Sequence, residues 1–144
     1  MRPKEGGLAD ISRAQTGARY LLGGIRLFNG AAALFVPRQL GQRVGVDPDS
    51  SPAAVYVLRL FGVRTIYAGL ELLIGRDAHL RNALRVAPAI HASDALSAAA
   101  AGKAGQLPAK AARMATVISS VNFVLALLAA TSREARGKRS KFKR

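Results

Sequence analysis

The chain has 144 residues, enough for one domain, and half of them are hydrophobic although only 6% are aromatic and none is Trp. With no Cys, disulfides, thiolate metal sites and cysteine nucleophiles are excluded. The net charge of +14, from 22 Lys/Arg against 8 Asp/Glu, directs attention to nucleic acid or to an anionic membrane surface.

Residues 1–17, "MRPKEGGLADISRAQTG", read as a polar cytoplasmic lead-in with a short amphipathic turn near Ile11. An apolar segment follows over 18–36, "ARYLLGGIRLFNGAAALFV". Pro37 ends it, and turn signals recur at Gly41, Gly45, Asp47-Pro48 and Ser51-Pro52. The second segment runs over 53–74 and the third over 84–101. The fourth, about 112–131, carries "MATVISSVNFVLALLAAT", which has no charge. Residues 132–144 read as a flexible basic tail.

A membrane-spanning helix needs about 20 mostly apolar residues. All four segments have that length, so the expected fold is all-α: an integral membrane four-helix bundle with short loops and basic termini. A soluble bundle would give each helix a charged face, and the fourth segment has none. A cleaved signal peptide would leave the first segment's core uncharged, whereas Arg26 stands in its middle.

The basic residues set an orientation, because cytoplasmic loops are enriched in Lys and Arg. One side holds Arg2, Lys4, Arg13, Arg19, Arg76, Arg81, Arg85 and seven tail residues: Arg133, Arg136, Lys138, Arg139, Lys141, Lys143 and Arg144. The other holds Arg38, Arg43, Lys103, Lys110 and Arg113. Both termini are therefore expected in the cytoplasm of a cell with an inner membrane. The tail is expected to dock on anionic lipids. Basicity concentrated at the ends and in loops argues against nucleic acid, whose binding domains more often carry charge on a structured face.

Each span places a polar residue deep in the bilayer. At 1.5 Å per residue, Arg64 and Asp94 each lie ~15 Å from the cytoplasmic end of their helices, and Arg26 ~12 Å. Asn122 lands near mid-depth, while Glu71 and His91 are nearer the cytoplasm. Such residues face the bundle interior and pair, because a charge in hydrocarbon is costly. Arg64 and Glu71 share one face of their helix, and His91 and Asp94 share another. The expected pairings are Arg64 with Asp94, capped by Asn122, and Glu71 with Arg26 or His91. The cluster Arg26, Arg64, Glu71, His91, Asp94 and Asn122 either locks the helices together or forms a site for a proton, an ion or a polar head group. The H-x-x-D at 91–94 would hold a metal only with further ligands, so no metal or cofactor is expected. Gly23, Gly24, Gly30, Gly62 and Gly69 allow helices to approach closely. Pro88 either starts the regular part of the third helix or kinks it. "GIRLFNGAAALFVPR" and "GVRTIYAGLELLIGR" share Gly, Arg, Leu and a final Arg at an offset of 38, a similarity weak enough to be coincidence.

"LRLFGVRTIYAGLELLIG" followed by "APAIHASDALSAAAAG" resembles a group of small four-helix membrane proteins, similar in size and layout to the DoxX-like family. Its pattern of Gly-x-Arg, a later Gly-Leu step and a central Asp maps onto Gly62, Arg64, Gly69 and Asp94. Members often carry an acidic or amide residue after the Arg, where this chain has Thr65. The resemblance implies fold and membrane location and no settled activity. No phosphate-binding Gly-rich loop, G-x-S-x-G or H-E-x-x-H is present. The expected function is thus a non-enzymatic membrane protein, a subunit or stabiliser of a larger assembly or a homo-oligomer. The alternatives are a membrane enzyme or proton- or ion-handling accessory protein using the same cluster, and a soluble basic helical protein that binds nucleic acid.

Overall fold

The computed structural model describes residues 5–141, with side-chain environments for 13–130. Five helices follow one another: α1 (Glu5–Phe35), α2 (Pro37–Val44), α3 (Pro52–Leu73), α4 (Asp77–Lys103) and α5 (Ala109–Lys141). The all-helical expectation holds and the number four does not.

The additional helix, α2, occupies the first half of the connection that reads as turns. Pro37 lacks an N–H and cannot continue α1, so the chain breaks at Val36 and turns by 103° into α2. Gly41 is not a turn residue. It is buried inside α2, on the side that faces Val46 and Leu58. Gly45 does end the helix, at φ 89°, a conformation that glycine adopts without steric cost. The loop that follows is held by Asp47, whose carboxylate accepts the backbone N–H groups of Asp49 (3.0 Å) and Ser50 (3.2 Å). Arg38 pairs with Asp49 across it.

Three more boundaries differ from expectation. α1 begins at Glu5, so part of the expected lead-in is helical backbone. α4 begins at Asp77 and runs unbroken through Pro88, which leaves the Leu84 carbonyl without its usual helical donor. The backbone of α5 continues to Lys141, into the segment read as a flexible tail. The side chains of that tail, from Arg133 to Arg144, lie outside the described residues.

α3 packs on α1, α1 on α5 and α5 on α4, while α3 and α4 touch only lightly. α1 and α4 therefore face each other across the bundle without direct backbone contact. The α1–α3 contact is an antiparallel glycine register. A Cβ on Gly30 would lie 2.9 Å from the Gly62 carbonyl oxygen, and one on Gly69 would lie 3.1 Å from that of Gly23. Gly23 and Gly30 are seven residues apart, as are Gly62 and Gly69, so both contacts fall on one face of each helix. Such closeness replaces side-chain packing with backbone contact.

The buried core is small. Ala18, Leu22, Leu72, Leu80, Leu84, Ala87, Ala126 and Ala129 form it, and only Leu22 and Leu72 among the large side chains are fully enclosed. Most large apolar residues point outward, among them Phe28 (76% exposed), Phe35, Tyr56, Val63, Leu96 (72%), Val117 and Val124. Isolated exposed apolar residues are ordinary in water, but so many large ones on a bundle with so small a core are not.

Candidate functional site

Three polar side chains occupy the middle of the bundle, each from a different helix: Arg26 of α1, His91 of α4 and Asn122 of α5. All three are at least nine-tenths buried. Arg26 leaves α1 beside Gly69, whose missing side chain gives the arginine stem room next to α3. Its guanidinium reaches across the bundle to His91, with Nε 3.1 Å and Nη2 2.8 Å from the imidazole Nε2.

These distances fix the state of the histidine. A guanidinium has donors and no acceptor, so His91 Nε2 must offer its lone pair. The ring is then neutral, with its proton on Nδ1. That Nδ1–H lies 3.9 Å from Asp94 Oδ2, one turn along α4, beyond hydrogen-bond range but within electrostatic reach. The result is an ordered series of guanidinium, imidazole and carboxylate, running from the buried centre to an Asp94 side chain that is 46% exposed. Asp94 and Glu71 are the carboxylates acting on the Arg26 charge.

The expected pairing is corrected here. Arg26 does meet His91, but through a hydrogen bond between them and not through Glu71. Among the described residues, the ion pair is Arg38–Asp49, and Asp94 has the neutral His91 as its neighbour, so the direct Arg64–Asp94 salt bridge does not form. Arg64 is exposed on α3, and its charge still acts on Asp94. Glu71 is half-buried, and Tyr67 interacts with it across one turn of α3. Asn122 caps nothing: its Oδ1 has no hydrogen-bond partner. It lies beside a groove of about 560 Å³ between α1 and α5, whose walls include Tyr20, Phe28, Ile118 and Val121.

One contributor escapes a reading of the sequence. Arg19 appears there only as an orienting charge, yet its Nη2 donates to the Leu73 carbonyl at 3.0 Å and its Nε to that of Leu72. It closes the C-terminal end of α3, where carbonyls lack helical donors and the helix dipole is negative. The signal is faint but present, since the last turn of α3 has no basic residue of its own.

With its Nε2 lone pair taken by Arg26, His91 has none free for a metal, and no group of three metal-binding side chains occurs among the described residues. No hydroxyl lies within hydrogen-bond distance of His91 to serve as a nucleophile among the described contacts. The arrangement suits holding α1 to α4 through a central polar contact. No known protein-family profile, curated protein or solved structure matches the chain.

Proposed function

We propose that this chain is a small, non-enzymatic integral protein of the inner membrane, and that it serves as a subunit or stabiliser of a larger membrane assembly. The observation that carries this reading is the inverted distribution of polarity. Arg26, His91 and Asn122 are buried, whereas Phe28, Tyr56, Val63, Leu96 and Val124 face outward. Water would favour the opposite arrangement, and hydrocarbon favours this one.

Two helices are long and apolar enough to cross a bilayer: α3, and residues 109–130 of α5. The bent pair of Arg13–Phe35 and α2 qualifies when taken together, and α4 does not qualify. In the proposed arrangement all four long helices span, with α4 carried by its close contact with α5, where Gly102 meets Ala112. Both termini lie in the cytoplasm, and the tail residues Arg133 to Arg144 rest on anionic head groups. The many large apolar side chains facing outward speak against a soluble nucleic-acid binder.

Extraction and labelling test the proposal. The protein should stay in membranes through high salt and alkaline carbonate and leave only with detergent. A cysteine replacing Ser50 should react with an impermeant reagent on intact cells, and one replacing Ser140 should not. Release by carbonate would refute the membrane reading, and the reversed labelling pattern would refute the orientation.

A second reading, a proton-handling accessory protein, draws on the path from buried His91 to half-exposed Asp94. In proteoliposomes it requires a pH-gradient response that disappears in His91→Gln.

A further inference from the structure

Asn122 stands in the wall of the 560 Å³ groove between α1 and α5. Of the residues lining that groove, only Tyr20, Asn29 and Asn122 carry polar side-chain atoms, and none is charged. On α1, Tyr20, Gly24 and Phe28 follow at intervals of four and share one face. A Cβ on Gly24 would meet nothing within 4 Å, so the helix leaves a notch between the two rings. The rim is open, with Tyr20, Phe28 and Val121 half or more exposed, and a molecule dissolved in the bilayer can enter from the side. The volume is that of a small-molecule pocket.

Asn122 itself is 5% exposed, and its Oδ1 has no hydrogen-bond partner. It stands eight residues from Ala130 and thirteen from Ala109, so about 12 Å and about 20 Å from the ends of the apolar stretch of α5. Phospholipid head groups do not sit that deep, and neither acyl chains nor the scarce water of the hydrocarbon supplies a donor. The terminal torsion of an amide is soft, so the oxygen can turn to a donor placed in the groove.

Building on the membrane reading, we infer that this groove binds a neutral, hydroxyl-bearing lipophile, an alcohol or phenol. Its O–H donates to Asn122 Oδ1, and its apolar body lies over Gly24 between Tyr20 and Phe28. Neutrality follows from the lining, because a charged group would find no counter-ion there and a bare charge in hydrocarbon is costly. The hydroxyl follows from the amide oxygen: a buried acceptor left unpaired penalises any occupant that lacks a donor. The two aromatic walls add contact for a ring.

Contact quenching of fluorescence tests the site. The chain has no Trp, so Phe28→Trp puts a single fluorophore on the groove wall and Val63→Trp puts one on the outward side of α3. Both are titrated in lipid nanodiscs with 4-iodophenol, with 4-iodoanisole, which cannot donate, and with iodobenzene. 4-Iodophenol should quench Phe28→Trp along a saturating curve, at least about tenfold more tightly than the other two probes. Val63→Trp should show only the shallow, unsaturated quenching of probe dissolved in lipid. Adding Asn122→Leu to Phe28→Trp should bring the phenol down to the level of iodobenzene. Should Phe28→Trp fail to fold, Val117→Trp reads the groove from the α5 wall.

Equal quenching of the groove fluorophore by all three probes would mean that the groove takes hydrocarbon such as an acyl chain, and would overturn the inference. So would equal quenching at the groove and at position 63, or a preference for the phenol that survives Asn122→Leu. A second copy of the chain is the remaining occupant. A bis-maleimide should link no more copies through Val121→Cys than through Val63→Cys, and preferential linking at 121 would overturn the inference. Release of the wild-type protein by carbonate would instead refute the underlying membrane reading, a separate and distinguishable result.

Discussion

Arg26 Nη2 stands 2.8 Å from His91 Nε2, a contact made between two helices whose backbones do not approach each other closely. It joins α1 to α4 through the centre of the bundle and makes each side chain depend on the other. Removing the acceptor leaves a buried guanidinium uncompensated. His91→Leu should therefore cost about 3–5 kcal/mol of stability in detergent, by analogy with the loss of one partner from a buried pair. His91→Gln, which retains a carbonyl acceptor, should recover part of that. Arg26→Leu combined with His91→Leu should be milder than His91→Leu alone. A denaturation series on the four proteins checks the order, and equal losses for His91→Leu and the double variant would contradict it.

The glycine register makes a sharper distinction between neighbours. A Cβ on Gly30 would lie 2.8 Å from the Ile66 backbone nitrogen, whereas one on Gly24 meets nothing within 4 Å. Gly30→Ala should force α1 and α3 apart and cost about 1–3 kcal/mol, in the range of overpacked cores. Gly24→Ala should be neutral or slightly stabilising, because alanine favours the helix. Thermal unfolding of both variants in the same detergent gives the comparison.

Asn122 offers a substitution expected to help. Its Oδ1 is buried without a partner, and such a group costs about 1–3 kcal/mol. Asn122→Leu should raise the midpoint of thermal unfolding. A fall would mean that the amide has a partner in the membrane which the isolated chain lacks.

How far these features can be read from the sequence varies along the chain. The ends of α3 fall within one residue of expectation because Pro52 and Gly75 punctuate an otherwise apolar run. α2 is hidden, since eight residues are too few to display a period and Gly41 looks like a turn until its neighbours are known. The start of α4 is hidden because "DAHLRNA" is polar and helical at once. Arg26, His91, Asp94 and Asn122 are visible as polar residues in apolar surroundings. Their pairing is not, because it depends on α1 and α4 facing each other across the bundle, and nothing local encodes that arrangement.

The 45–51 loop carries a pH dependence outside the apolar segments. The N–H of Asp49, foremost, and the Ser50 groups stabilise the charged carboxylate of Asp47 and hold its pKa below the usual carboxylate range. A group depressed in this way contributes stability above its unfolded pKa of about 3.9, and that contribution is lost as pH falls through the folded value. Protection factors of the Asp49 and Ser50 amides should thus hold at neutral pH and fall only in strong acid. Asp47→Ala should show low protection at every pH.

The outward apolar side chains face lipid if the chain is a membrane protein, and spin labels at single cysteines read this directly. Labels at Phe28, Val63 and Val124 in nanodiscs should be relaxed strongly by oxygen, which concentrates in hydrocarbon, and weakly by a water-soluble nickel chelate. A label at Ser50 should show the opposite preference. Strong relaxation by the nickel chelate at Phe28, Val63 and Val124 would place those side chains in water and contradict the membrane reading.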